Sequence, residues 1–110
     1  MHIRPEAAAD HAAIHALNAA AFGRPEEARL VDALRQSDAW VPELSLVAER
    51  DGVLLGHILF TRCHIARDAG GSMACLALAP MAVLPDSQGD GIGSSLVRAG
   101  LAQAKVLGYA

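Results

Sequence analysis

The sequence predicts an α/β fold, of the α+β kind with a mixed sheet, whose elements follow in the order β-α-α-β-β-β-α. Three observations support this class. Residues 7–21 are rich in alanine, the best helix former, and place apolar side chains on one face. Apolar runs between residues 44 and 84 are separated by short turns, as in a strand meander. A glycine-rich turn at residues 88–93 then leads into an amphipathic stretch.

The N-terminal third of the chain predicts one edge strand and two helices. The strand covers residues 2–4 and ends at Pro5, which has no backbone N–H for a sheet ladder. The first helix covers residues 7–21 and the second covers residues 26–36. Pro25 stands directly before the second helix, where its fixed φ suits a helix start.

The middle of the chain predicts a loop followed by a hairpin. Residues 37–43 form the loop, in which we interpret Trp40 as a packing anchor. Residues 44–49 and 53–65 then predict two strands. The Asp51-Gly52 pair between them is a strong signal for a tight hairpin turn.

The last strand and helix follow, and two residues are expected to disturb strand pairing. Gly56 predicts a bulge or a close approach by another group. The strand at residues 73–84 is apolar throughout except at Pro80, where we expect a bulge or a splayed strand. The final helix covers residues 92–107, and Gly108 is its expected stop.

Charge and hydropathy narrow the classes of partner. The chain has a net charge of −3, and its nine Lys and Arg residues are scattered, so we expect no nucleic-acid partner. No apolar stretch approaches the roughly 18–20 residues that span a bilayer. We therefore expect a cytoplasmic protein without a membrane partner.

The cysteines and histidines predict no metal site. Cys63 and Cys75 form neither a C-x-x-C pair nor a zinc pattern, and we expect reduced, packed thiols. His11 and His15 stand one helical turn apart and could share a metal. Without a third ligand nearby, a solvated helix face is the simpler interpretation.

The glycine-rich turn has the order of a backbone anion site: a strand, the turn, and a helix start. The first turn of a helix has N–H groups without helical partners and carries partial positive charge. Glycines allow a close approach by phosphate and positive φ angles. We expect a pyrophosphate here. A Walker loop is excluded because Gly-Lys-Ser/Thr is missing, and the acidic residue of a Rossmann fingerprint would fall beyond residue 110.

The strand before this turn and the turn itself carry a recognisable motif. Residues 78–85 are Leu-Ala-Pro-Met-Ala-Val-Leu-Pro, and residues 88–93 are Gln-Gly-Asp-Gly-Ile-Gly. Together they match the "V-x-P … [Q/R]-x-x-G-x-G/A" pattern of the GNAT superfamily of acyl-CoA-dependent N-acyltransferases, which this chain resembles over nearly its whole length. Residues 3–5 and the Gly56-His57 pair also look like that family's first and third strands.

The resemblance implies one N-acetyltransferase-like domain at residues 1–110, the acetyl-CoA-binding N-terminal portion of the family fold. Family members continue with a further strand, a helix and a hairpin, so these C-terminal elements are expected to be absent here. That portion usually supplies the tyrosine that reprotonates the CoA thiolate. Tyr109 ends the CoA-binding helix, and we do not assign that role to it. The unpaired apolar edge favours either pairing with a second copy, which would give a homodimer, or aggregation.

The resemblance also implies the chemistry. It is that of an N-acetyltransferase in which a primary amine attacks acetyl-CoA directly, with acetyl-CoA as cosubstrate and no metal. The turn and the helix start would hold the CoA pyrophosphate. The preceding strand would pair with the pantetheine arm, and one of its N–H groups would polarise the thioester carbonyl. The implied cofactor-binding residues are Met81, Ala82, Val83, Gln88, Gly89, Asp90, Gly91, Ile92, Gly93, Ser94 and Ser95.

A neutral amine is needed for attack, so a base or a water chain has to remove a proton. The candidate bases are His57, His64 and Glu49, and His57 comes first because it follows Gly56 on the central strand. A strand histidine is more often a satisfied structural residue, so both interpretations stay open. Residues 22–27 resemble the loop that borders the acceptor site, although their glutamates equally suit a helix start.

A second function class stays open beside the enzyme. The chain is alternatively a non-catalytic or truncated module that binds CoA or another chain and transfers nothing. The feature that distinguishes the enzyme from the non-catalytic module is whether the reading frame of the gene continues past residue 110 into an aromatic-rich strand, helix and hairpin.

Overall fold

A computed structural model describes residues 1–109 of the chain. Its strands are β1 (His2–Pro5), β2 (Trp40–Arg50), β3 (Val53–Ala66) and β4 (Ser72–Val83). Its helices are α1 (His11–Phe22), α2 (Glu26–Arg35) and α3 (Ile92–Val106). Short 3₁₀ turns at Ala8–Asp10 and Pro85–Ser87 precede α1 and follow β4. The predicted order β-α-α-β-β-β-α is confirmed.

The four strands form one sheet in the order β1-β2-β3-β4, and each neighbouring pair is antiparallel. The sheet of residues 1–109 is therefore antiparallel throughout and not mixed as predicted. The hairpin between β2 and β3 turns at Asp51 and Gly52, whose φ angles of 53° and 80° are both positive. This conformation matches the right-handed twist of the strands, and the predicted turn is therefore confirmed.

Helices cover both faces of the sheet because strand side chains alternate between the faces. On one face, Ile14 of α1 and Val31 of α2 pack with Val47 and Leu59 of the sheet. On the other face, α3 packs against the strands, and Leu96 is its most deeply buried side chain. The sheet is thus enclosed between α1 with α2 on one side and α3 on the other.

The start of β2 differs from the prediction. Residues 40–43 were expected in a loop, but β2 begins at Trp40. A register shift between Trp40 and Ser45 accommodates Pro42, which cannot donate to a ladder. The Arg35 guanidinium lies 5.1 Å from the centre of the Trp40 ring, so packing against α2 holds this segment extended.

Gly56 is confirmed as a point of close approach. A Cβ atom there would lie 2.9 Å from Leu96 Cδ1 and 3.0 Å from Ile92 Cγ2. The β2–β3 register also shifts between Ala48 and Glu49, directly beside Gly56. The absence of a side chain at this position lets α3 lie close to β3.

The predicted bulge near Pro80 is confirmed. Ile58 pairs with Met81 and Phe60 pairs with Leu78, so two residues of β4 face one residue of β3. The bulge separates the Met81 end of β4 from the rest of the strand. On its outer side, β4 has no strand partner among residues 1–109.

The prediction of reduced thiols is wrong, because Cys63 and Cys75 form a disulfide. The two residues are register partners on β3 and β4, and their Cα atoms are 5.1 Å apart, within the range that a disulfide bridges. They stand twelve positions apart in the sequence, and only the pairing of the two strands places them opposite each other.

Two glycines of the C-terminal region determine how α3 packs and ends. Gly108 has φ 95°, and the N–H groups of Gly108 and Tyr109 donate to Lys105 and Ala104, which confirms the predicted helix stop. Gly100 was not predicted to matter. A Cβ atom on Gly100 would collide with the Phe60 ring, so α3 contacts the sheet directly at this glycine.

Candidate functional site

The turn between β4 and α3 has the backbone geometry that its glycines predict. Gly89 and Gly91 have φ angles of 90° and 79°, in the left-handed region that favours glycine. No atom lies within 4 Å of a Cβ built on either residue, so conformation rather than crowding favours glycine there. Gly91 is the N-cap of α3, and no side chain caps the helix. The first-turn N–H groups are thus left for an external acceptor.

A cleft of about 420 Å³ lies beside this turn, and we call it the α3 cleft. None of its lining side chains is charged, so backbone amides and the helix dipole supply its attraction for an anion. Ser87 lines the cleft but was not among the predicted binding residues. The one feature of the sequence that could have indicated it is its position directly before Gln88. The lining residues are Met81, Val83, Ser87, Gly89, Gly91, Ile92, Gly93 and Ser94.

Four predicted residues do not line the cleft: Ala82, Gln88, Asp90 and Ser95. Ala82 is buried. Its side chain and that of its register partner on β3, His57, both lie on the face of the sheet that α1 covers. The Gln88 amide donates to the Val83 carbonyl at 3.1 Å, which braces the turn. The Ser95 hydroxyl accepts from Arg98 at 3.4 Å.

The backbone N–H groups at the end of β4 point alternately to β3 and to the open edge. The Leu84 N–H donates to the Leu55 carbonyl at 2.9 Å and therefore points to β3. Since directions alternate along a strand, the Ala82 N–H also points to β3. The N–H groups of Met81 and Val83 point outward, to the edge without a strand partner among residues 1–109. These two residues combine an outward donor with a side chain in the cleft.

His57 lies under α1 and is completely buried. Its Nε2 is 2.9 Å from Ser45 Oγ, and its Nδ1 is 3.3 Å from Asn18 Nδ2. The Ser45 hydroxyl donates to the Glu6 carboxylate, which can only accept. Ser45 therefore accepts from His57 Nε2–H, and His57 Nδ1 accepts from Asn18. This pattern specifies one neutral tautomer of the ring.

Burial lowers the pKa of His57 to about 4, with Glu6 acting to raise it and Arg35 to lower it. The ring is therefore neutral near pH 7, but both of its nitrogens are already hydrogen-bonded. Action as a base would require one of these bonds to open. The geometry favours the structural interpretation of His57, and the role of base stays a prediction.

The other acid–base candidates lie apart from the α3 cleft. Glu49 on β2 accepts from Arg4 at 3.2 Å. His64 is exposed on the part of β3 that extends beyond β2. In the predicted acceptor loop, Arg24 donates to Glu27, and this hydrogen bond holds the Glu27 pKa below its usual value. A role for that loop in acceptor binding stays a prediction.

The two helical histidines have separate partners. His11 Nε2 is 3.0 Å from Glu6, and His15 Nδ1 is 2.7 Å from Asp32. Within residues 1–109 no group of three or more His, Cys, Asp or Glu side chains is placed to hold a metal ion. Across the same residues, no helix has the length and apolar character needed to cross a membrane.

The fold and the cleft define an α/β domain in which a glycine-rich turn and an uncapped helix start lie beside the bulged, open edge of an antiparallel sheet. The model of the acetyltransferase (GNAT) family matches residues 11–110. The chain belongs to this family.

Two relatives of known sequence are similar over most of the chain. The uncharacterized N-acetyltransferase YjhQ of Escherichia coli is 37% identical over 99 residues, which cover 90% of this chain and 54% of YjhQ. The mycothiol acetyltransferase of Cellulomonas flavigena is 36% identical over 104 residues, which cover 87% of this chain and 30% of that protein. The chain thus spans about half the length of YjhQ and less of the second relative.

Two solved structures have the same fold. A GNAT family acetyltransferase from Brucella melitensis, in complex with acetyl-CoA, superimposes with a TM-score of 0.86 at 42% identity, covering 98% of this chain and 70% of that one. YhbS from Escherichia coli, in complex with CoA, gives a TM-score of 0.86 at 31% identity, covering 98% of this chain and 58% of YhbS. The predicted family and fold class are confirmed.

Proposed function

We propose that the protein containing this chain transfers an acetyl group from acetyl-CoA to a primary amine by direct attack. The observation that carries the proposal is the α3 cleft, where outward N–H groups of β4 meet the uncapped start of α3. The similar proteins from Brucella melitensis and Escherichia coli are in complex with acetyl-CoA and CoA, respectively, which supports a CoA-type cosubstrate.

The pyrophosphate of CoA binds, in this proposal, at the glycine-rich turn. The first-turn N–H groups of α3 donate to it, and the Ser94 hydroxyl at the cleft wall adds a donor. Gln88 acts indirectly, because its amide already braces the turn through Val83. Asp90 and Ser95 do not line the cleft, so Asp90 contributes only through its backbone, since its carboxylate repels phosphate, and the Ser95 hydroxyl is hydrogen-bonded to Arg98.

The pantetheine arm lies along the open edge of β4 and pairs with it as an additional strand would. The N–H groups of Met81 and Val83 are its donors, since the Ala82 N–H points to β3. The bulge at Pro80 leaves room for the thioester beside Met81. A fixed N–H donor to the developing oxyanion typically lowers a barrier by about 3 kcal/mol.

The amine attacks the thioester carbonyl after losing a proton. The C–S bond then breaks, and the thiolate of CoA leaves and takes up a proton. We assign proton removal to water and not to the His57 ring, because that ring is buried and both of its nitrogens are already hydrogen-bonded.

A second candidate function is supported by the share of the relatives that the chain spans, which is 54% for YjhQ. Residues 1–110 would then be an N-acetyltransferase-like domain, the acetyl-CoA-binding N-terminal portion of a larger fold. Alone, such a portion binds CoA or another chain and transfers nothing.

Acetyl-CoA binding by titration calorimetry tests the cofactor site. Gly93 accepts a side chain if the flexible end of Met81, 3.3 Å from a Cβ built there, shifts by a few tenths of an ångström. Gly93→Glu puts a carboxylate beside the proposed pyrophosphate site, and we expect the affinity to fall by about 100-fold through repulsion.

Ala102→Glu is the matched control. Ala102 is exposed on α3, does not line the cleft, and receives the same carboxylate on the same helix. The control is expected to bind acetyl-CoA as the unmodified chain does. Equal affinities for Gly93→Glu and Ala102→Glu would contradict the pyrophosphate assignment.

Release of the CoA thiol separates the two candidate functions. The assay mixes acetyl-CoA with a panel of primary amines and the 110-residue chain or its full reading frame. Amine-dependent thiol release supports the enzyme. Binding without release by either form supports the non-catalytic module.

A further inference from the structure

A row of buried polar side chains crosses the sheet under α1, and we call it the polar row. It consists of Glu6 after β1, Ser45 on β2, and His57 on β3, with Asn18 of α1 at its inner end. Ser45, His57 and Asn18 are completely buried. Burying polar groups costs free energy even when they are paired, and apolar residues would fill this space at lower cost. The polar row therefore needs an explanation beyond packing.

The outer end of the polar row is held by charges. Arg35 of α2 donates to both Glu6 carboxylate oxygens, at 3.0 and 3.1 Å. His11 of α1 approaches the same carboxylate at 3.0 Å. The Glu6 backbone N–H also donates to the Ser45 carbonyl at 2.8 Å. Glu6 is therefore a fixed acceptor for the Ser45 hydroxyl.

The inner end of the polar row reaches the strand that forms the cleft. His57 and Ala82 are register partners, and the direction of the Leu84 N–H makes them a pair that exchanges two backbone hydrogen bonds. Ala82 stands between Met81 and Val83, whose N–H groups point to the open edge. The β3–β4 register is interrupted just beyond this pair, at the bulge. The position of His57 therefore determines how β4 presents its outward donors.

We propose that His57 is a positioning residue, held by Glu6, Ser45 and Asn18, which fixes β4 through Ala82 so that Met81 and Val83 can meet the thioester. The inference rests on the proposed function, in which these two N–H groups bind the pantetheine arm. It assigns the His57 side chain no contact with either substrate.

The hydrogen-bond directions make the polar row dependent on a neutral His57. A protonated ring would direct Nδ1–H at the Asn18 amide nitrogen, which is itself a donor. The Asn18 carbonyl oxygen has no partner, and turning it to the ring would take the amide nitrogen away from Ile14, to which it now donates at 3.0 Å.

The charged groups that face His57 are Glu6 after β1 and Arg35 on α2. Its nearest side-chain partners on α1 and β2 are the uncharged Asn18 and Ser45, and its partner on β4 is Ala82. The attraction of Glu6 for an imidazolium is offset by Arg35. We therefore expect β4 to lose its fixed position as His57 is protonated.

Ser45→Ala tests the proposal, because it breaks the polar row and leaves His57 in place. The readout compares acetyl-CoA with 3′-phospho-ADP, which has the pyrophosphate but no pantetheine arm. We expect Ser45→Ala to weaken acetyl-CoA binding by about tenfold and to leave 3′-phospho-ADP binding unchanged. Thr61→Val is the control, since Thr61 is a nearly buried hydroxyl residue on β3 outside the polar row.

Equal losses of affinity for the two ligands, or equal losses in Ser45→Ala and Thr61→Val, would overturn the proposal and leave the polar row a structural feature.

Amide hydrogen exchange of the unmodified protein, followed from pH 7 to pH 4.5, tests the proposal without mutation or ligand. After correction for intrinsic rates, the Ala82 amide should lose protection relative to the slowest amides of β2. Constant relative protection would overturn the proposal. This measurement keeps its meaning if neither ligand binds, an outcome that would contradict the proposed function instead.

Discussion

At the scale of single residues, His57 makes the stability of the protein sensitive to moderate acid. Its pKa lies at about 4 in the native state because the ring is buried, against an ordinary value of 6.5. Between these values the unfolded chain binds a proton that the native ring does not. The contribution of the neutral His57 ring to the free energy of unfolding is therefore complete above pH 6.5 and is lost as the pH falls toward 4.

We predict that the free energy of unfolding falls by about 3 kcal/mol between pH 7 and pH 4 because of this residue. Urea unfolding at half-unit intervals of pH measures the change. His57→Gln cannot titrate and should show a much flatter profile. Asp10 is a separate case, because its hydrogen bond from Arg4 lowers its pKa below 3.8, so its contribution is lost only at lower pH. An equally steep slope in His57→Gln would rule out the assignment to His57.

At the scale of elements, α3 is held to the sheet through residues that lack side chains. Gly56 of β3 and Gly100 of α3 each allow a contact that a methyl group would block. Glycine inside a helix costs about 1 kcal/mol relative to alanine, so Gly100 is retained at the expense of helix propensity. Close packing of helix on sheet offsets that cost.

Gly100→Ala is expected to destabilise the protein by about 1–3 kcal/mol, because the collision with the Phe60 ring outweighs the better helix propensity. Gly93→Ala is the matched change in the same helix, where the nearest atom is the flexible end of Met81. It should be neutral or slightly stabilising. Chemical unfolding of both variants measures the difference, and a neutral Gly100→Ala would show that α3 can move away from the sheet without cost.

At the scale of the whole molecule, the outer edge of β4 is a surface open to strand pairing. Its backbone is unpaired among residues 1–109, and Met73 and Leu78 are exposed on the part of β4 that precedes the bulge. Unpaired edges with apolar side chains favour strand pairing between chains. We propose that the 110-residue chain forms a homodimer through this part of β4, which leaves Met81 and Val83 beyond the bulge for the pantetheine arm.

Leu78→Lys is predicted to weaken this association by at least about tenfold, since a charge on an edge strand opposes pairing. Val106→Lys is the control, because this substitution adds the same charge at a residue that is 79% exposed at the far end of α3. Sedimentation equilibrium over a range of concentrations gives the dissociation constants. A monomeric unmodified chain, or equal weakening by both substitutions, would contradict pairing through β4.

Much of this molecule followed from local patterns. The order of the elements, the Asp51-Gly52 turn, the bulge at Pro80 and the helix stop at Gly108 each depend on a few neighbouring residues. So does the glycine-rich entry to α3, because positive φ and free helix N–H groups are properties of a short segment.

Other features depend on residues that are distant in the sequence. Trp40 joins β2 because α2 supplies Arg35 to stack on it, and the disulfide forms because the register sets Cys63 opposite Cys75. The need for glycine at position 100 appears only when Phe60 lies across the interface.

The amino-acid sequence by itself determined the fold class, the family motif and the glycine-rich entry to α3 where we propose the anion site, because these rest on periodicity, turn chemistry and short-range spacing. The tertiary structure alone decided which β4 donors point outward and whether His57 is free to act. Both depend on which strand lies beside which, and on the side chains that α1 and β2 bring to His57. Local sequence carries no record of that pairing, so a titratable residue in a strand can be identified but its partners cannot.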